Sequence, residues 1–368
     1  MIDISEQIEA IEKEIRETPY HKGTEHHIGL LRARIARLKD KQLETISKKG
    51  GGGGGYAIKK QGDATIVLIG PPSSGKSTLI NKLTNAESRV APYEFTTVSV
   101  IPGMLKYKNA YIQILDVPGL IEGAHLGKGK GKEVLSVARG ADLIVFMADY
   151  QRLNFFKKLV SELERTGIRI NRVKPEIKID KKLNGGVIVH TNLKQDFDKE
   201  MVRQVASEFG IKNAEITIKE KLSMDRLIDA FARNRVYIPA VYVVNKSDLL
   251  TKSQKEKIDA RMIQISAEKG IGLPKLKQVI WEKLQFILLY LVKADEMPSF
   301  DNPIVVKKGI SLKEVGEKIG MITVENKQSL TGYTGKKSAK IWGVGAKFPG
   351  QEVSLTTKVE DGMQVRFI

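Results

Sequence analysis

The chain has 368 residues, and its 61 Lys and Arg against 43 Asp and Glu give a formal net charge of +18. The hydrophobic fraction of 41% is typical of a globular protein and excludes a disordered chain. The zero cysteine count excludes a disulfide scaffold, a thiolate zinc site and a cysteine nucleophile, and fits a reducing cytoplasm. The longest apolar run, Phe286 to Val292, is too short to span a bilayer, so we expect a cytoplasmic protein without stable membrane association.

The positive charge predicts a polyanionic partner: nucleic acid, the ribosome or an acidic membrane surface. A solvated, Lys-rich surface of the kind common in thermophile proteins is the alternative, and both can hold.

Residues 1–60 are predicted to form a basic helical hairpin followed by a glycine-rich linker. Isoleucines spaced four, three and four apart line a first helix over 3–18, and a second helix covers 24–46. From His26 to Lys60 there are nine Lys and Arg and two acidic residues. The unbroken glycines of 50–55 indicate a linker or hinge.

Residues 61–292 alternate between strands and helices, which predicts an α/β fold with a doubly wound, mostly parallel sheet. Lys108-Asn109 marks a hairpin turn. The predicted strands are 65–69, 100–107, 111–115, 143–148, 241–244 and 262–265, and helices are predicted over 77–83 and 273–288.

Two further domains are predicted. Residues 167–238 interrupt the α/β rhythm as an inserted small α+β domain, and 298–368 have the pattern of a compact β-grasp-like domain. The elements expected in the insert are a strand at 185–190, a helix at 199–209, a strand at 214–218 and a helix at 224–231. Those expected in the tail are strands at 304–306, 340–342 and 364–367 and a helix at 312–319.

A glycine-rich segment matches the phosphate-binding motif G-x-x-x-x-G-K-[ST]. It follows the first predicted strand and begins a predicted helix, which is the context that this motif requires. Its backbone N–H groups can wrap phosphates at a helix N-terminus. Lys76 would reach the β- and γ-phosphates and the Ser77 hydroxyl would ligate Mg²⁺. The candidates in this segment are Gly70, Pro71, Ser73, Ser74, Gly75, Lys76, Ser77 and Thr78.

Two motifs suit the γ-phosphate and its metal. Asp116 ends a predicted strand and begins Asp-Val-Pro-Gly, where the carboxylate can hold the Mg²⁺ shell and the N–H of Gly119 can sense the γ-phosphate. Thr97, preferred to its neighbour Thr96, can close over Mg²⁺ and release after hydrolysis. The predicted metal ligands are therefore Ser77, Thr97 and Asp116.

The segment Asn245-Lys246-Ser247-Asp248 follows another predicted strand. Asp248 can accept hydrogen bonds from guanine N1–H and the 2-amino group, a donor pair that adenine lacks, and Lys246 would pack along the base. After the next strand come Ser266, Ala267 and Glu268, where the Ala267 N–H can bind guanine O6. The sequence therefore predicts a guanine nucleotide, GTP or GDP, as the ligand.

This ordered set resembles the translation-factor-related GTPases, and within them the Obg superfamily, through Tyr93–Thr97 (YEFTT) and Asp116–Ala124 (DVPGLIEGA). The resemblance continues into the developmentally regulated GTP-binding protein family through Lys22–His27 (KGTEHH), the glycines ahead of Tyr56–Lys60 (YAIKK), and Gly127–Lys132. It covers essentially the whole chain. The tail looks like a TGS domain, and the insert is similar to a small domain found in a ribosomal protein.

The resemblance implies a P-loop GTPase associated with ribosomes or translation and, in eukaryotes, with a dedicated partner protein. The accessory domains would then contact rRNA, tRNA or that partner. Leu120 stands where many signalling GTPases carry a water-orienting Gln, which implies slow turnover unless a group is supplied from elsewhere; Glu122 and His125 are nearby candidates. Ser73 stands where much of the superfamily has an Asn linked to potassium use, so K⁺ is kept as a candidate cofactor.

We therefore expect a monomeric GTPase switch whose catalytic residues are Lys76, Thr97 and Gly119 and which docks on the ribosome in one nucleotide state. Three alternatives stay open: an ATPase of related fold, an RNA-binding protein whose nucleotide site is regulatory, and a signalling or membrane GTPase.

Overall fold

A computed structural model describes residues 4–49, 61–84, 101–117, 137–321 and 338–368. Its helices are α1 (Ile4–Glu17), α2 (Glu25–Lys49), α3 (Lys76–Leu83), α4 (Asn154–Arg165), α5 (Lys199–Glu208), α6 (Met224–Phe231), α7 (Lys252–Glu256), α8 (Leu273–Lys283) and α9 (Leu312–Lys318). Its strands are β1 (Ala64–Ile69), β2 (Ile101–Tyr107), β3 (Ala110–Asp116), β4 (Leu143–Asp149), β5 (Ile168–Ile170), β6 (Ile177–Lys181), β7 (Val187–Thr191), β8 (Ala214–Ile218), β9 (Val236–Ile238), β10 (Ala240–Asn245), β11 (Ile263–Gln264), β12 (Phe286–Leu291), β13 (Pro303–Lys307), β14 (Ser338–Trp342), β15 (Gln351–Ser354) and β16 (Gln364–Phe367).

The chain divides into two compact units. Of the described residues, 4–49 and 158–238 belong to the first, and the remainder belong to the second.

The insert in the first unit is built on a three-stranded sheet of order β6-β8-β7, with β6 antiparallel and β7 parallel to β8. Alternate residues of β8 are fully buried against helices α5 and α6. The strands β5 and β9, which lie at the two ends of the predicted insert, pair with each other in parallel. Strand β6, with its alternating Ile and charged residues, was not predicted.

The N-terminal hairpin packs on this insert. Ala33 and Ala36 of α2 are buried in the same apolar cluster as the α5 and α6 side chains. Asp40 accepts a hydrogen bond from the backbone N–H of Arg233 at 3.0 Å, and Arg34 pairs with Glu208 at 3.0 Å. The small side chains of α2 allow the close helix approach, and the hydrogen bond and the ion pair add polar contacts between α2 and the insert.

The second unit contains a six-stranded sheet of order β11-β10-β4-β1-β3-β2. All neighbours pair in parallel except β2, which forms an antiparallel hairpin with β3 through the positive-φ turn Lys108-Asn109. Every residue of β1 is buried, as expected for a central parallel strand. This sheet confirms the predicted P-loop α/β fold with a mostly parallel sheet.

A second sheet in this unit has five strands in the order β13-β12-β16-β14-β15. It is mixed, with β12 parallel to β16 and the other pairs antiparallel. Helix α9 contributes Leu312 and Val315 to the core beneath it. The chain therefore carries additional β-rich domains beside the P-loop domain, as the fold prediction required.

The helix predicted over 273–288 is wrong in its last part. Helix α8 ends at Lys283, Gln285 has a φ of 55°, and the next residues form β12 of the five-stranded sheet. Ile287 and Leu289 enter the C-terminal core while Phe286 packs on the P-loop domain core. Because both faces of this strand are covered, its sequence is apolar throughout and has neither helical nor alternating periodicity.

Within the described ranges, no helix combines the length and the apolarity that crossing a membrane needs.

Candidate nucleotide-binding site

The predicted motifs meet at one edge of the six-stranded sheet. Since β3 and β4 lie on opposite sides of β1, the strand order reverses there, and such a switch point forms a crevice at the carboxyl ends of the strands. Asp116 ends β3 and Asn245 ends β10, while the loop after β1 leads directly into α3. Distant parts of the sequence are therefore placed around one crevice.

The loop between β1 and α3 is packed so tightly that two of its positions accept only glycine. A Cβ atom on Gly70 would lie 2.0 Å from the carbonyl oxygen of Met147, and one on Gly75 would lie 2.3 Å from Nδ2 of Asn245. Gly75 also has a φ of 91°, a region that side chains disfavour. The two glycines thus let the backbone approach both β4 and the Asn245 motif.

Lys76 folds back over this loop. Its Nζ donates hydrogen bonds to the carbonyl oxygens of Gly70 at 3.1 Å and Pro71 at 3.2 Å. Burial lowers the pKa of Lys76, and the nearby Asp116 carboxylate acts in the opposite direction. A desolvated ammonium beside a helix N-terminus is well suited to a polyphosphate.

Ser77 and Asp116 present oxygen atoms side by side. The Ser77 hydroxyl donates to Oδ2 of Asp116 at 3.1 Å, and Asp116 is only 4% exposed. The other carboxylate oxygen, Oδ1, is buried without a hydrogen-bond partner in the described structure. Burial raises the pKa of Asp116, with Lys76 and Ser77 opposing it. A hydroxyl and a carboxylate with an unsatisfied oxygen form a donor set that fits Mg²⁺.

Magnesium at phosphate sites commonly takes only one or two protein ligands beside water and phosphate oxygens. The described residues contain no group of three or more His, Asp or Glu side chains arranged to hold a metal.

Asn245 joins the phosphate loop to the base-binding motifs. Its Nδ2 donates to the carbonyl oxygen of Ser74 at 2.8 Å, and its Oδ1 accepts from the backbone N–H of Ala267 at 2.9 Å. Asn245 is 4% exposed, so water cannot easily replace it. One buried amide therefore fixes three sequence motifs relative to one another.

Replacement of Asn245 by Ala is expected to lower the free energy of unfolding by about 3 kcal/mol, because it leaves a carbonyl and an N–H buried without partners. Asn213 is a matched control, since it also accepts from a backbone N–H (Gly186, 2.9 Å) and donates to a carbonyl (Leu183, 3.0 Å), but in an exposed loop. Thermal unfolding of both Ala variants checks this, and equal shifts in the midpoint would contradict it.

Asp248 lies in a single helical turn, Ser247–Leu249, that follows the end of β10. Its side chain is 11% exposed, and Nζ of Lys269 lies 3.2 Å from Oδ2. The hydrogen bond with Ser266, followed by that with Lys269, lowers the pKa of Asp248. The side chain is therefore a carboxylate, the form that accepts two hydrogen bonds from a base edge. Glu268, in contrast, is exposed to solvent.

The structure adds two residues that the sequence analysis did not single out, Asp149 and Arg152. Arg152 Nε lies 3.1 Å from both Asp149 carboxylate oxygens, and Nη1 donates to the carbonyl oxygen of Pro72 at 2.7 Å. Lys246 Nζ is 4.0 Å from the same carboxylate. Asp149 could have been found by the rule that selected Asp116, because it also ends a buried strand.

Several predicted residues lie outside the described ranges. They are Thr96, Thr97, Gly119, Leu120, Glu122, His125 and the segment Gly127–Lys132.

Comparison with known proteins agrees with this geometry. A family profile described as "50S ribosome-binding GTPase" matches residues 65–181, and one described as the "C-terminal region of MMR_HSR1 domain" matches residues 184–286. The chain is 43% identical to an uncharacterized GTP-binding protein of Methanocaldococcus jannaschii, over 98% of this chain and 92% of the relative. It is 38% identical to GTP-binding protein 1 of Schizosaccharomyces pombe, over 99% of each chain. It is also 38% identical to human developmentally-regulated GTP-binding protein 2, over 97% of each. A P-loop domain of this geometry, together with full-length similarity at this level, shows that the chain belongs to the developmentally regulated GTP-binding protein family.

Proposed function

We propose that this protein is a molecular switch that binds GTP with Mg²⁺ in the crevice, hydrolyses it to GDP and phosphate, and docks on the ribosome or another RNA-containing partner in one nucleotide state. The observation that carries the nucleotide assignment is the convergence of Lys76, the Ser77–Asp116 pair and Asp248 around one crevice whose parts Asn245 ties together.

The residues have distinct roles in this proposal. Lys76 neutralises charge on the β- and γ-phosphates, and the loop N–H groups bind the remaining oxygens. Ser77, Asp116 and Thr97 would hold Mg²⁺, which offsets phosphate charge when bound. Gly119 and Thr97 would close on the γ-phosphate. A water oxygen then attacks the γ-phosphorus, the bond to the β–γ bridging oxygen breaks, and GDP and phosphate leave.

Guanine selectivity distinguishes this proposal from a related ATPase. The pKa of Asp248 is lowered, so its side chain is charged. Adenine lacks the pair of donors that guanine offers, so an adenine nucleotide in the site would leave this carboxylate without hydrogen bonds from the base. Competition for bound fluorescent GDP tests this. GTP is expected to displace it, and displacement by ATP at similar concentrations would contradict the guanine assignment.

Ribosome docking is supported by charge and by similarity. The net charge of +18 predicts attraction to a polyanion. The family profile that matches residues 65–181 is described as a ribosome-binding GTPase. The basic hairpin, which is anchored on the insert through Ala33 and Ala36, offers a surface whose position is fixed by packing.

Co-sedimentation with ribosomes and separated subunits tests the docking. The protein is loaded with a non-hydrolysable GTP analogue, with GDP or with no nucleotide, at two salt concentrations. Binding that follows the GTP-like state and survives moderate salt supports the switch. Equal binding in all states that disappears with salt is general polyanion affinity and would contradict it.

The remaining assignments belong to the same proposal. They are a TGS-like role for 298–368, an inserted domain at 167–238, a monomeric cytoplasmic protein, K⁺ stimulation through Ser73, and slow turnover until a regulatory protein binds. Phosphate release measured in K⁺ and in Na⁺ buffers tests the cation, and equal rates in the two buffers would contradict K⁺ stimulation.

A further inference from the structure

The phosphate loop contains a tight turn whose form is unusual for its sequence. The backbone N–H of Ser74 bonds to the carbonyl oxygen of Pro71 at 3.4 Å, which makes Pro72 and Ser73 the two central residues of a β-turn. Ser73 has a φ of 58°. Since the ring of Pro72 fixes its own φ near −65°, a positive φ at the next residue is the mark of a type II turn.

A type II turn with serine in its third position is strained. That position requires φ > 0, which glycine adopts freely and a residue with a Cβ does not. The type I turn keeps the same end residues but has a negative φ there, and the two forms differ by rotation of the central peptide, here Pro72–Ser73. Something in the structure must therefore hold this peptide in the less favourable orientation.

Arg152 contacts that peptide directly. Its Nη1 donates to the carbonyl oxygen of Pro72 at 2.7 Å, while Nε and Nη2 are engaged by Asp149 three residues earlier. Arg152 is thus held by a carboxylate at one end and holds a carbonyl at the other. Rotation of the Pro72–Ser73 peptide to the type I form would turn the carbonyl away and break this bond.

The orientation of this peptide also decides where an N–H group points. A trans peptide is planar, so the N–H of Ser73 points opposite to the carbonyl of Pro72 and away from Arg152. Pro71 and Pro72 have no N–H, and Ser73 is therefore the first residue after Gly70 whose amide can donate to a phosphate. In this sequence, a flipped peptide would remove the leading donor of the loop.

We propose that Arg152 is a positioning residue for the phosphate-binding loop, which locks the Pro72–Ser73 peptide in the orientation that presents the Ser73 N–H to the nucleotide. The inference rests on the proposed GTP-binding function of this loop. Asp149 supplies the second half of the device, because its carboxylate binds the flat guanidinium at two points and leaves Nη1 directed at the loop.

The chain offers a closely matched control. Arg203 also donates to a backbone carbonyl, that of Val187 at 3.1 Å, and to a carboxylate three residues earlier, Glu200 at 3.1 Å. It lies in the insert, which supplies none of the proposed nucleotide-binding residues. Arg152→Ala and Arg203→Ala therefore remove the same chemistry, and only one of them removes it from the phosphate loop.

The experiment measures the dissociation rate of a fluorescent GDP with Mg²⁺ present, together with the thermal unfolding midpoint, on full-length protein. Arg152→Ala is expected to release GDP about tenfold faster than wild type, as expected for the loss of one hydrogen bond to a charged group. Arg203→Ala is expected to release it at the wild-type rate. Asp149→Asn is less informative, because its carboxylate also lies 4.0 Å from Lys246.

A second variant separates positioning from simple charge. In the double variant Arg152→Ala with Ser73→Gly, glycine adopts the positive φ without strain, so the type II turn no longer needs the arginine. The double variant is expected to recover most of the lost GDP retention, relative to Ser73→Gly alone. A direct charge effect of Arg152 on the phosphates would not be rescued by glycine.

The possible results distinguish failure of the positioning role from failure of the proposed function. If wild type binds GDP and Arg152→Ala behaves like Arg203→Ala, or if Ser73→Gly gives no rescue, the positioning role is overturned while the proposed function stands. If wild type itself binds no guanine nucleotide, it is the proposed function that fails.

Discussion

Asp248→Asn is expected to weaken binding of GDP by at least about a hundredfold and to create affinity for xanthosine diphosphate. The Asp248 carboxylate only accepts hydrogen bonds, which matches the two donors of the guanine edge. An Asn side chain offers one acceptor and one donor, and xanthine presents one donor and one carbonyl oxygen at the same positions. Competition of GDP, xanthosine diphosphate and ADP against a fluorescent nucleotide measures the exchange.

Asp259→Asn is the control for this exchange. Asp259 also pairs with a basic side chain, that of Arg261 at 2.6 Å, and the pair lowers the pKa of Asp259 to about 2. It belongs to neither base motif and lies in the segment between them, so its variant is expected to keep wild-type selectivity. An Asp248→Asn protein that still prefers GDP would show that this carboxylate does not contact the base.

The main motifs could be predicted because each is short and contiguous. The segment from Gly70 to Ser77 follows a wholly buried strand, so its position between β1 and α3 was determined locally. Asn245 was predicted as part of the base motif. Its bond to the carbonyl of Ser74, 171 residues away in sequence, depends on β10 and β1 flanking β4 and required the structure.

Arg152 could not be predicted, because its partner Pro72 lies 80 residues earlier and no short pattern connects them. Their meeting depends on β1 and β4 being neighbours in the sheet. The prediction for the residues of β12 was wrong for another reason. A strand covered on both faces lacks the alternation that identifies strands, so its apolar residues were assigned to the preceding helix. The packing of the hairpin on the insert is a long-range contact of the same kind as that of Arg152.

Lys76→Met is expected to reduce GTP hydrolysis by about a thousandfold and GDP binding by about a hundredfold, because in the proposed site the Lys76 ammonium group neutralises charge on the β- and γ-phosphates. Methionine is unbranched like lysine and keeps the side chain as far as Cε, so that the terminal ammonium group, with its charge and donors, is what the substitution removes. The free energy of unfolding without nucleotide is expected to change by about 1 kcal/mol or less. Loss of the two bonds to Gly70 and Pro71 is offset by removal of a desolvated charge.

Lys307→Met provides the comparison, since Lys307 forms an ion pair with Asp142 at 3.1 Å on the same unit but outside the crevice. Single-turnover phosphate release and GDP binding on both variants separate a site effect from a general loss of positive charge. If Lys76→Met retains GDP as well as Lys307→Met does, this loop is not the phosphate site, even if Asp248→Asn changes the base preference. If neither Lys76→Met nor Asp248→Asn changes nucleotide binding, the convergence of phosphate and base residues on which the GTPase assignment depends is lost.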